Sequence, residues 1–77
     1  MLEVLRDLSN HEKKWVSQRA QMALALAEQY EGGWLEDSEY MELMNRVVED
    51  SKLDREADDL ETKAMLITAV HEASGII

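Results

Sequence analysis

The sequence predicts an all-α fold: a small antiparallel arrangement of three helices forming one domain over residues 1–77. Three observations carry this. The chain has no proline and no phenylalanine, and Ala, Leu, Met and Glu, all good helix formers, are abundant throughout. Apolar residues recur at three- and four-residue intervals, the repeat of a helix with one buried face. No stretch alternates apolar and polar residues as a half-buried strand does.

Each element has its own signals. Residues 2–8 read either as a short helix or as the first turns of the next one. Residues 9–12, SNHE, have the spacing of a capping box, in which a hydroxyl caps a free amide and a glutamate reaches back. A long helix is therefore expected over about residues 10–31, ending at Gly32 and Gly33, where a left-handed residue is cheap. A second helix over residues 37–50 places Tyr40, Leu43, Met44, Val47 and Val48 on one face. Ser51 or Asp54 then starts a third helix over residues 54–74, with Leu53, Ala57, Leu60, Ala64, Ile67 and His71 as its main stripe. Gly75 stops it, and Ile76 is expected to fold back on the last turn.

In AQMALALA, residues 20–27, apolar side chains surround the first long helix almost completely. Either alanine is there for its helix propensity, or a second apolar face meets another subunit. Size tilts the choice towards an oligomer. At 77 residues folding buries only about 60% of the surface the unfolded chain exposes. With no cysteine, disulfides and thiolate zinc sites are excluded as compensation, and association is left. Met22, Leu24, Ala25 and Leu26 are the expected oligomer interface.

Trp34 and Tyr40 flank the turn after Gly33 and lie near Tyr30 across the hairpin, so they are expected to staple the first two helices. Met22, Met44 and Met65 read as gap-filling core residues. Met41 sits beside the apolar face and is expected to be exposed.

The segment GWLEDSEYMELMNRVV, residues 33–48, resembles the SHOCT motif, a short helical segment. Gly33, Leu35, Glu39, Tyr40 and Leu43 match its pattern, and Glu36 stands where that motif usually has a Thr or Ser cap. The likeness covers about a fifth of the chain. It implies an oligomerisation or tethering element without catalysis.

Catalytic and metal chemistry find little to start from. HEKKW, residues 11–15, begins like the zinc-binding HExxH signature, but Trp15 stands where the second histidine must be. HEASG, residues 71–75, fails in the same way at Gly75. Residues 54–65 place Asp54, Glu56 and Asp58 like the first ligands of a calcium loop. That loop needs glycine at its sixth position and glutamate at its twelfth, where Asp59 and Met65 stand. There is no cysteine nucleophile, no serine in a glycine-flanked elbow and no glycine-rich phosphate loop. The expectation is a non-enzymatic chain with no cofactor and no metal.

The charge is the most informative feature. The formal net charge is −9. Residues 1–27 hold four bases against three acids, so the remaining 50 carry a net −10. Residues 35–61 alone contain eleven acids against Arg46, Lys52 and Arg55. Direct binding to nucleic acid or to an anionic membrane requires the opposite sign. No run of apolar residues is long enough to span a bilayer, and no secretory signal opens the chain, so a cytoplasmic location is expected.

Acids help a small Ala- and Leu-rich protein stay dissolved, but mixed charges serve that purpose with less repulsion. Two functional expectations follow. In the first, Glu39, Glu42, Glu49, Asp50, Asp54, Asp58, Asp59 and Glu61 form an acidic face that docks on a basic protein. If that protein binds nucleic acid, the chain is an inhibitor or DNA mimic of the kind phages encode. In the second, the chain is an assembly protein that homo-oligomerises through its first long helix.

Overall fold

A computed structural model describes residues 2–75 and contains five helices. They are α1 (Glu3–Leu8), α2 (Lys14–Glu31), α3 (Asp37–Val48), α4 (Ser51–Glu56) and α5 (Leu60–Ser74). The all-α class is as the sequence predicts. Helix α2 is the axis of the molecule: α1, α3 and α5 all pack on it, and α5 also packs on α1 and α3. The five-residue connection after α2 folds α3 back along it, as short helix–helix loops do. The radius of gyration is 11.6 Å, close to the roughly 11.5 Å of a fully packed domain of this length.

The core takes Leu5 and Leu8 from α1, Trp15 and Val16 from α2, Tyr40, Met44, Val47 and Val48 from α3, Leu53 from α4, and Leu66 and Val70 from α5. Ala20, Ala23 and Ala27 line the buried side of α2. Their small side chains let several helices crowd around one axis, which explains much of the alanine density in residues 20–27.

Helix α2 begins at Lys14, not near residue 10, and the capping box of residues 9–12 does not form. Ser9 instead closes α1, its hydroxyl donating to the Arg6 carbonyl at 2.6 Å, and the Asn10 amide donates to the same oxygen at 3.2 Å. These side chains satisfy carbonyls at the end of α1, and the turn that follows carries the chain back so that α1 packs on α2. Half-buried His11 takes part in that turn, its Nδ1 accepting from the Lys13 amide at 3.1 Å.

Helix α3 ends at Val48 rather than at residue 50, because Asp50 adopts an extended conformation and caps α4 by accepting from the Lys52 amide. The third predicted helix is two helices, interrupted at residues 57–59. Asp59 is the cause: its carboxylate accepts from the Glu61 amide and the Thr62 hydroxyl, starting α5 afresh. The restart breaks the phase of the expected stripe. Leu60 is 81% exposed and Ala64 is exposed, while Leu66, Ala69 and Val70 face the core. Ile67 and His71 lie half-buried at the edge of that face.

Both glycine stops hold. Gly33 has φ +82° after the end of α2, and Gly75 has φ +79° after α5. Ile76 lies outside the described residues. The hairpin staple is Tyr30 on Tyr40, whose rings stack 4.2 Å apart and 3° from parallel. Trp34 takes no part in it, being 81% exposed. Met44 fills the core and Met41 is exposed, both as expected. Met22 and Met65, expected inside, are outside.

Candidate functional site

The eight acids expected to form one face fall into two groups. Asp50, Asp54, Asp58, Asp59 and Glu61 belong to α4 and its cap, the break that follows and the first turn of α5, beside the start of α2. Arg19 is the organising residue there. Its guanidinium is buried, donates to the Trp15 carbonyl at 3.2 Å and to Glu56 at 3.1 Å, and lies 3.8 Å from Asp50. One cation thus grips the residue before α4 and the residue that ends it. Lys13 and the Trp15 indole N–H both reach Asp58, at 3.1 and 3.2 Å. Lys63 reaches Asp54 at 2.6 Å. Asp58 is held below the usual carboxylate range, first by the Lys13 hydrogen bond and further by the indole. Asp59 is held low as well, chiefly by the Thr62 hydroxyl. Four of these five acids are therefore engaged within the chain, and Glu61 stands exposed.

Glu39 and Glu42 belong to the other end of the molecule, where α2 and α3 meet. Asp58 lies against Trp15, and the hairpin turn follows residue 31, so Asp58 and that turn are separated by roughly 24 Å of α2, while Asp50 lies nearer, beside Arg19. Glu39 closes a capping box with Glu36, accepting its amide at 3.1 Å. Glu36 thus does the capping work expected of a hydroxyl at that place. Glu42 pairs with Arg46 one turn on, at 2.9 Å, with both side chains largely exposed. Glu49, exposed just after the last turn of α3 and next to Asp50, belongs with the first group and not with the hairpin.

This end is more acidic than the expected face conveyed. From Ala20 to Asn45 there are six acids, Glu28, Glu31, Glu36, Asp37, Glu39 and Glu42, and no Lys or Arg. Among the described residues, only Glu42 of these six forms an ion pair. Asp37 accepts the Tyr30 hydroxyl at 2.6 Å, and that bond raises the Tyr30 pKa above its ordinary value. Burial, and then the charge of Glu31, raises that of Tyr40. Glu28 and Glu31 sit in the last turns of α2, which contain no base. Carboxylates are disfavoured there because the free carbonyls at a helix C-terminus carry partial negative charge. In the middle of this stretch stands exposed Trp34.

The third feature is a groove between α2 and α3. Met22, Ala25 and Leu26 form one wall, and Leu43, Arg46 and Val47 form the other, around an open depression of about 340 Å³. Three of the four expected oligomer residues meet here. Leu24 does not: two positions from Met22 is 200° around a helix, and Leu24 is half-buried against the core instead. Sequence reasoning missed Arg19, Trp15 and Leu43. Arg19 left a trace in the sequence, being a lone base one turn after Trp15 on the apolar side of α2.

No group of three or more potential metal ligands comes together among the described residues, and no described helix is long and apolar enough to cross a membrane. No family model matches this chain, and neither curated proteins nor solved structures provide a similar one.

Proposed function

We propose that this chain is a non-enzymatic binding module whose hairpin end, where α2 meets α3, docks on a basic protein. The observation that carries this reading is the base-free stretch from Ala20 to Asn45. Five of its six carboxylates lack an ion-pair partner among the described residues, and two of them stand at the helix end where charge of this sign is unfavourable. Charge kept at a cost to the fold is characteristic of a surface used for something else. Trp34, 81% exposed among these acids, is a residue type that anchors interfaces. Complementary charge gives fast and salt-sensitive association.

The narrower form of the reading makes the partner a nucleic-acid-binding protein and this chain its inhibitor or DNA mimic. It draws on fewer acids than the sequence indicated, since Asp50, Asp54, Asp58 and Asp59 are engaged internally. The test is affinity capture from a bacterial lysate on the immobilised protein, with a salt gradient and mass spectrometry of what elutes. A basic protein released at moderate salt, and absent from a Glu31→Lys/Glu42→Lys column, is the expected result. Retention indifferent to salt and to that charge reversal overturns the reading.

A second reading, homo-oligomerisation, is favoured by one observation: Met22, Ala25 and Leu26 do line a shared apolar groove. Exposed Ala25 is the clean place to test it. A sedimentation experiment in which wild type is a dimer at tens of micromolar and Ala25→Glu is a folded monomer supports it, and a monomeric wild type rules it out.

A further inference from the structure

The groove between α2 and α3 continues beyond its apolar centre. Towards the hairpin it runs into a depression edged by Glu39 and Glu42, and towards α4 into one that contains Gln18, Asp50 and Lys52. Arg46 borders all three parts. From Glu39 to Val47 the trough is about 12 Å long, a little over two helical turns. That matches the span of apolar side chains at i, i+3 or i+4, and i+7 on a helix laid into a groove.

We propose that this trough receives one amphipathic helix of the partner, its apolar side chains on Met22, Ala25, Leu26, Leu43 and Val47 and its lysines or arginines along Glu39 and Glu42. The inference rests on the reading of a basic partner and adds where, and in what form, it docks. Charge selects the occupant. The edge towards the hairpin carries Glu39 and Glu42, continues into the base-free stretch, and holds Arg46 as its one cation. A helix with basic flanks offers both of these glutamates a counter-charge, and an incoming cation competes with Arg46 for Glu42 while the apolar floor stays covered. A second copy fits less well, because it sets two chains of net −9 face to face and brings the same two glutamates with each.

The probe is a 16-residue peptide of leucine and lysine, with leucines on one helical face, titrated into the whole protein and followed by fluorescence anisotropy of a label on the peptide. A scrambled peptide of identical composition is the control. Met22→Gln/Ala25→Gln makes the floor of the trough polar at two exposed positions without changing charge. The expected result is binding of the amphipathic peptide about tenfold or more tighter than the scrambled one, a difference of at least roughly 1.4 kcal/mol, and loss of that preference in the variant. Equal, salt-sensitive binding of both peptides, unchanged in the variant, overturns the groove and leaves the basic-partner reading standing. Binding of neither peptide at low salt overturns both. A wild-type dimer that Met22→Gln/Ala25→Gln converts to monomer assigns the trough to a second copy and overturns the proposal.

Discussion

Arg19 and the two glycines of the hairpin show how single residues divide the work. Arg19 is the one buried cation among the described residues, and its carboxylate partners are only partly covered. Removing it strands Asp50 and Glu56 beside the core rather than deep within it, so Arg19→Ala is expected to lower stability by about 1–3 kcal/mol in urea unfolding. Gly33 and Gly32 are glycine for different reasons. Gly33 has φ +82° with open space where a Cβ would stand, so Gly33→Ala costs only the backbone term, about 1–2 kcal/mol. Gly32 has an ordinary helical φ of −77°. A Cβ there meets the Trp34 indole at 3.0 Å, so the missing side chain lets that ring lie against the backbone. Trp34→Ala is expected to change stability by no more than about 0.5 kcal/mol while weakening capture of the basic partner. A large loss of stability would reassign Trp34 to the fold.

At the scale of elements, α4 is the piece whose attachment is most dependent on few contacts. It is six residues long, too short to stand alone, and it is held by Leu53 in the core and by the Arg19 grip on its two ends. Leu53→Ala is expected to cost about 2–5 kcal/mol by the same unfolding measurement. The hairpin faces a different test: Arg46→Glu removes the base that competes for Glu42 and should strengthen partner binding, by up to about fivefold for an exposed pair. What was legible in the sequence divides along the same lines. The class, the glycine stops and the buried face of α3 depend on local chemistry, and the residues themselves state it. The break at residues 57–59 was hidden because Asp58 and Asp59 look the same as a helix's acidic first turn and as the end of one helix and the cap of the next. Only the contacts of Asp58 with Lys13 and Trp15, 45 and 43 positions away, decide between them. The acidic face was half legible: the surplus is plain in the composition, but which acids are already engaged depends on those same distant contacts.

For the whole molecule, charge works against the fold at one end and for it at the other. Asp58 and Asp59 are both held below the ordinary carboxylate range, so folding favours their charged forms. Their contribution is fully present above the unfolded value, about pH 4, and fades as pH falls through the lower folded values. The difference in urea midpoint between wild type and Asp58→Asn should therefore be largest near pH 6 and close in more acidic solution. A difference undiminished at pH 3 would contradict the assignment. At the hairpin end the sign is reversed: Glu28 and Glu31 stand against the α2 dipole, and replacing them with glutamine should raise stability, by about 0.3–1 kcal/mol each at low salt. The most direct measurement of the central claim joins that variant to its partner. Wild type and Glu28→Gln/Glu31→Gln are immobilised side by side, and the basic protein each retains from the same lysate is quantified at equal salt. A variant at least as stable as wild type that retains clearly less of the basic protein is the predicted result. Equal retention on the two columns would show that the unpaired acids of the hairpin end do not serve a partner.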